Sequence, residues 1–214
     1  MSSIAGNSNN TWQFLHEAET LRLMGHYDQA IQCFKQALSQ NSQNPWGLAH
    51  KAEAHFQKRH YSEALDFFNQ AINLSPNYAW AYAHRGETRF QMGRYDLALS
   101  DLTRAIELNP SYAWAVAHRG ALYRYQGQND KAEADFRKAI DLNSNYAWAW
   151  AYLSVVCALQ NKYEEAWNSL IQALRLDPEL PVQTTEWAKA LRGGMGEDME
   201  FSLEEETQSQ TQSE

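Results

Sequence analysis

The sequence predicts an all-α chain of stacked antiparallel helix pairs, and three observations carry that prediction. Trp12, Trp46, Trp80, Trp114 and Trp148 stand 34 residues apart, as do Ala30, Ala64, Ala98, Ala132 and Ala166, and in another phase Ala37, Ala71, Ala105, Ala139 and Ala173. Within a period the apolar residues recur at helical spacing, as Tyr95, Leu99, Leu102 and Ile106 do in the third. Chain breakers keep phases of their own: Gly25, Gly93 and Gly127 in one (with Arg59 and Asn161 substituting), Pro76, Pro110 and Pro178 in another. Five copies in register predict a repeat architecture.

Residues 1–10 hold no basic region and no apolar run, so they predict disorder and no secretory signal. Each period then reads as two helices. In the third, Ala79 to about residue 92 forms helix A, Gly93 and Arg94 turn the chain, and Tyr95 to about residue 108 forms helix B. The alanines let the two helices approach, with Phe34, Phe68, Leu102, Phe136 or Leu170 recurring between them, and in the third period Tyr95, Leu99, Leu102 and Ile106 fill the seam. Asn109-Pro110 stops helix B, because proline cannot continue it and pushes the residue before it out of the α region. One such hairpin leaves an apolar face bare, which stacking on the next covers.

With these positions in hand, the chain resembles tetratricopeptide repeat proteins, in five repeats at 11–44, 45–78, 79–112, 113–146 and 147–180. The family's small eighth residue is matched by Ala18, Ala52, Gly86, Gly120 and Ser154, and its turn aromatic by Tyr27, Tyr61, Tyr95 and Tyr163. Asn129 and Glu133 depart from the pattern, which predicts a looser fourth repeat. The segment Tyr78-Ala-Trp-Ala-Tyr-Ala-His-Arg-Gly86 and its counterpart ending at Gly120 resemble repeats common in cyanobacterial proteins. The resemblance implies a right-handed α-solenoid, a capping helix over 181–192 carrying Trp187 and Leu191, and a concave groove lined by the A helices.

On that alignment the groove carries Trp12, Trp46, Trp80, Trp114 and Trp148 at its second position, and His16, His50, His84, His118 and Tyr152 at its sixth. Glu19, Glu53 and Glu87 follow at the ninth, then Phe56, Phe90, Arg124 and Tyr125 near the helix ends. Two readings of the tryptophans stay open. They are rigid anchors for a partner, or a packing ladder between helices. The alanines Ala49, Ala83, Ala117 and Ala151 predict space beside each indole and lean towards binding. The His-x-x-Glu pairs (His16/Glu19, His50/Glu53, His84/Glu87) suggest a metal, but helices packed ~8–10 Å apart cannot bring ladder histidines within ~2 Å of one ion. No metal and no cofactor is expected. A neighbouring Glu would instead favour protonated His. Arg85 and Arg119 each coincide with an Asp at one later position, Asp101 and Asp135, which predicts two structural ion pairs between helices A and B.

Charge narrows the function. The chain carries a net charge of -8, yet residues 193–214 hold seven of the acids and no Lys or Arg, so the body is nearly neutral. That acidic tail, rich in Gln, Ser and Thr, predicts disorder. A near-neutral body with Glu19, Glu53 and Glu87 in the groove speaks against nucleic acid, leaving an RNA-binding helical repeat as a minor alternative. Repeats that hold chaperone C-terminal carboxylates carry Lys, Asn and Arg at positions matched here by Leu15, Glu19, His50, Glu87 and Gln91, and three acids in the groove would repel a carboxylate, so that ligand is disfavoured. Cys33 and Cys157 form no Cys-x-x-Cys, and the longest apolar run, 146–159, is short of the ~20 residues of a membrane span. No nucleophile elbow or phosphate loop is present, so no catalysis is expected. The expectation is a cytoplasmic, non-enzymatic adaptor or assembly scaffold that binds a protein or peptide segment, with a self-assembling scaffold as the alternative.

Overall fold

The computed structural model describes residues 3–180, with side chains from Thr11 onward. The expected capping helix at 181–192 and the tail at 193–214 lie outside the described residues. Ten helices are present among the described residues, and no strand: α1 (Ser3–Leu23), α2 (Tyr27–Gln40), α3 (Pro45–Gln57), α4 (Tyr61–Leu74), α5 (Ala79–Gln91), α6 (Tyr95–Leu108), α7 (Ala113–Tyr125), α8 (Asn129–Leu142), α9 (Ala147–Leu159) and α10 (Tyr163–Leu176). From α2 onward the starts repeat every 34 residues, so odd-numbered helices are the A helices and even-numbered ones the B helices. At the first helix the structure differs from the sequence expectation. Helix α1 begins at Ser3 rather than after residue 10, since no proline intervenes and extending a formed helix costs little.

The turns explain the spacing. After α5, Gly93 takes φ 73°, its N–H donates to the Phe90 carbonyl at 2.9 Å, and the Arg94 N–H donates to the Arg89 carbonyl at 2.8 Å. This pair of bonds satisfies the last carbonyls of the helix and reverses the chain. Arg59 and Asn161 make the same bonds at φ 61° and 62° without glycine's freedom, and only Asn tolerates that region readily. The B helices end in a second repeated device, in which Asn41, Asn109, Asn143 and Asp177 each accept a backbone N–H two residues on.

The chain divides after Gln126 into two compact units, the first holding α1–α7 and the second α8–α10. In the first, α1 packs on α2, α3 on α4 and α5 on α6, and each B helix packs on the next A helix. Ala30, Ala37, Phe34, Ala64, Ala71, Phe68, Ala98, Ala105 and Leu102 are fully enclosed in these seams. At Gly86 the helices are close: a Cβ there would meet the Leu102 side chain at 3.1 Å and the Ala98 carbonyl at 3.2 Å. In the second unit α9 packs on α8 and α10, around Phe136, Leu153, Trp167 and Leu170.

Candidate functional site

Each A helix of the first unit also touches the next A helix, and there the sixth-position histidines do something that helical spacing alone does not show. His50 lies one turn beyond Trp46, 4.1 Å between ring centroids, and stacks on Trp80 of the next helix at 4.5 Å and 14°. His84 repeats this with Trp80 at 3.9 Å and with Trp114 at 4.6 Å and 13°, and His118 lies 3.6 Å from Trp114. The result is one continuous pile: Trp46, His50, Trp80, His84, Trp114, His118. Trp80 and Trp114 each stack with two imidazoles, one from the same helix and one from the preceding A helix. Ala49, Ala83 and Ala117, beside the ladder, are themselves fully buried. Trp12, with no preceding A helix, is 60% exposed, and its own His16 stands 6.3 Å away. In the second unit Trp148 packs on Tyr152 at 4.1 Å and on Phe136 at 6.2 Å, while Ala151 is buried.

The glutamates reach across helices rather than along them. Glu53 Oε2 lies 3.0 Å from Nδ1 of His84, 31 residues on, while Tyr112 Oη stands 3.4 Å from Nε2 of the same ring. Glu19 Oε2 lies 3.1 Å from His50 Nδ1, within ion-pair reach though out of line for a hydrogen bond, and Glu19 accepts two bonds from Arg22 at 2.7 and 2.8 Å. Burial alone would raise the Glu19 carboxyl, but Arg22 and His50 outweigh it and hold it down to about 2. Glu53 is likewise held low against its burial by His84 and by a bond from Gln57. The same-helix His-x-x-Glu pairing suggested by spacing is thus replaced by a pairing between consecutive A helices.

The third rung breaks the pattern. Glu87 accepts only from Gln91, at 2.8 Å, and forms no ion pair among the described residues. Burial pushes its carboxyl up, with the Gln91 bond and His84 only partly opposing. Burial also pushes His118 down to about 3, although its Nδ1 sits 3.0 Å from the Trp114 carbonyl. Glu87, half-buried, stands at the register position of Glu53 but is not paired with His118 as Glu53 is with His84. Below this rung, Phe90, Tyr95 and Tyr125 make a small aromatic cluster. The Tyr95 hydroxyl donates to that of Tyr125 at 2.8 Å, and Tyr125 is 57% exposed. Phe56 packs on Tyr61 at 5.6 Å, and Arg124 is half-buried.

On the other side of the hairpin, Arg85 donates to both Asp101 oxygens at 2.9 and 2.7 Å and to Asn69 at 2.7 Å. Arg89, which the sequence reading did not single out, adds a third bond to Asp101 at 2.7 Å. Arg119 and Asp135 belong one to each unit, and Asp135 is buried.

Among the described residues one group of metal-capable side chains converges, Glu133, Cys157 and Glu165, with ligand atoms within 4.8 Å. Its carboxylates already bond Arg137 and Lys162 at 2.6–2.9 Å, and burial together with Glu133 pushes the Cys157 thiol up to about 11. A protonated thiol and two neutralised carboxylates do not fit a cation. No helix among the described residues is long and apolar enough to cross a membrane.

Comparison with known families and structures follows the helical pattern. Two family profiles described as tetratricopeptide repeat match, one at 79–112 and 113–146 and the other at 21–89, together more than half of the chain. A thermophilic tetratricopeptide repeat protein of Thermus thermophilus is similar at 26% identity and TM-score 0.71, over 85% of this chain and 98% of that one. PilF of Pseudomonas aeruginosa is similar in structure, with TM-score 0.81 at 15% identity over 89% and 86%. YrrB, described as a tetratricopeptide repeat protein with an unusual peptide-binding site, has TM-score 0.63 at 22% identity over 88% and 96%. No curated protein matches the chain.

Proposed function

Because the chain belongs to the tetratricopeptide repeat family, whose arrays are protein-interaction scaffolds and typically non-catalytic, we propose that it is an adaptor whose first unit takes up a segment of a partner protein on the A-helix face, with a basic side chain of that segment seated on Glu87. The observation that carries this reading is the unequal treatment of three equivalent carboxylates. Glu19 and Glu53 are consumed by His50 and His84, whereas Glu87, half-buried, forms no ion pair among the described residues and has its carboxyl pushed up. A desolvated carboxylate costs stability in the free chain and becomes favourable when a cation reaches it, which is how interaction sites commonly differ from structural ones. The Trp–His pile makes the wall behind it rigid, so little side-chain entropy is lost on binding. The half-buried Phe90 and the exposed Tyr125 supply apolar contact at the next turn. YrrB has a peptide as its ligand type, and a peptide is the partner class proposed here. The ionised Glu19 and Glu53 disfavour a peptide carboxylate or an RNA backbone on this face.

Peptide-library selection on the full chain tests this. Selected segments should be enriched in Lys or Arg, and Glu87→Gln should weaken them about tenfold, the loss of one charge-assisted bond. Segments without a basic residue, or binding unchanged in Glu87→Gln, would sink the reading.

A self-associating scaffold has its own supporting observation: Trp12, Leu23 and Met24 on and just after α1 are all largely exposed. Light scattering of the chain and of Trp12→Ser over a concentration series separates the two. A concentration-dependent mass lost in the variant would favour assembly through α1.

A further inference from the structure

Hairpins α3–α4 and α5–α6 bring the same positions together, and the second shows what the first lacks. In α5–α6 two cations of the A helix, Arg85 and Arg89, close on one carboxylate of the B helix, Asp101, which is buried. The residues 34 earlier are Lys51, His55 and Phe67. The cationic positions persist, and the carboxylate has become a ring. Lys51 Nζ sits 4.0 Å over the Phe67 ring, and the His55 ring stacks on Phe67 at 5.4 Å. Lys35 of α2 acts electrostatically on Lys51, His60 and Lys58 act on His55, and the His60 ring lies 6.0 Å from that of His55. Of the acids, Asp28 pairs with Lys58, and Glu63 of α4 acts on His55 from a distance. Lys35, Lys51 and His55 form no ion pair among the described residues, and the enclosed His55 Nδ1 has no protein partner there. Burial first, and then Lys35, lowers the Lys51 ammonium; burial and then Lys51 lower His55. These are the signs of cations crowded round a missing acceptor.

We propose that this slot on hairpin α3–α4 binds an oxyanion, the phosphate or carboxylate group of a ligand, which bridges Lys51 and His55 beside the Phe67 ring and does for them what Asp101 does for Arg85 and Arg89. Lys35, exposed at the rim, adds a third cation. Neutral His55 donates one N–H and Lys51 three, enough for a tetrahedral or a planar oxyanion. The Phe67 ring forms an apolar floor that keeps water from one side of the ion pair, strengthening it. The slot is separate from the A-helix face, since Lys51 follows His50 by one residue, about 100° round the helix.

The full chain, isotope-labelled, is titrated with inorganic phosphate at constant ionic strength in chloride, and resonances of His55 and of residues around Lys51 are followed by NMR. Saturable shifts are expected, with affinity reduced about tenfold in Lys51→Gln, the loss of one charged donor. Lys138→Gln, the same charge change in the second unit, should leave them in place. Phe67→Asp installs the carboxylate that the next hairpin carries, so it should abolish phosphate binding and raise the melting temperature. A parallel titration with acetate separates the sources: tighter phosphate assigns a phosphorylated ligand, and equal or tighter acetate assigns an acidic side chain. Shifts that do not saturate, that chloride alone reproduces, or that survive unchanged in Lys51→Gln would overturn the site. Wild-type phosphate affinity in folded Phe67→Asp would overturn it as well.

Discussion

The first two rungs of the A-helix ladder and the third use the same residue types at the same spacing and reach opposite electrostatic results. Between α1 and α3, and again between α3 and α5, a glutamate meets the histidine 31 residues on, and both carboxyls are held below their ordinary range despite burial. Between α5 and α7 the Glu87 carboxyl is pushed up and His118 is pushed down to about 3, with the imidazole Nδ1 on its own helix's carbonyl. A sequence repeat fixes which groups arrive at an interface, and the ring orientation then decides whether they neutralise one another. That difference leaves the third carboxylate without the ion pair that the other two make.

The largest test removes what the two kinds of rung share. Trp80 and Trp114 each stack with two imidazoles, so Trp80→Ala with Trp114→Ala should destabilise by about 4 kcal/mol, two half-buried aromatic truncations. Chemical denaturation followed by circular dichroism reads this. An unchanged midpoint would mean that the pile is not structural and that the indoles serve a ligand alone.

Smaller, and specific to the paired rungs, is Glu53→Gln. It leaves His84 without its carboxylate in a nearly closed contact where Glu53 is 7% exposed, and should cost about 2 kcal/mol. The depressed Glu53 carboxyl contributes stability above its unfolded value of 4.5, lost as pH falls through the lower folded value. Acid unfolding of Glu53→Gln should therefore start from a lower plateau and fall less steeply than that of the wild type.

His118 contributes with a different bearing on pH. Its folded value of about 3 lies below the ordinary 6.5, so between those values the unfolded chain binds a proton that the folded chain does not. Stability should therefore fall as pH drops through that window, by about 1.4 kcal/mol per unit. His118→Tyr, which copies Tyr152 at the equivalent position, should flatten that slope in denaturation series between pH 6.5 and about pH 4. An equally steep slope in the variant would place the acid sensitivity elsewhere.

How much of this was readable beforehand follows from the geometry. The 34-residue period and the buried alanines depend on contacts within one hairpin, where residues near one another in sequence meet, so the helix pairs and their turns were legible. Arg85 and Asp101 stand 16 apart, a spacing that one antiparallel hairpin brings together. The Trp–His pile was not legible, because it joins residues about 30 apart on different A helices and depends on their relative rotation. His-x-x-Glu spacing pointed to pairs along one helix, whereas the imidazoles turn to stack on their neighbours' indoles and meet glutamates of the preceding helix instead. Nor does spacing tell Glu87 from Glu53, since the two differ in what the next ring does and in how far they are buried. Arg89 escaped for a simpler reason: it lies one turn beyond Arg85, and no second copy in the chain repeats it with an Asp partner.

The smallest effect is the most diagnostic for function. Glu87→Gln keeps the shape and the bond to Gln91 while removing the desolvated charge, so the free chain should gain about 1 kcal/mol, the reverse of Glu53→Gln. A carboxyl raised by burial is worth less to the folded state as pH climbs past its unfolded value of 4.5, so the gain should appear at neutral pH and vanish in acid. Thermal unfolding of the two variants at neutral and acidic pH provides the check. If Glu87→Gln instead loses stability at neutral pH, the carboxylate is already neutralised in the free chain, and the third rung is a structural contact like the other two. If it gains stability while losing basic peptides, the chain gives up folding free energy at one carboxylate in order to hold a partner there.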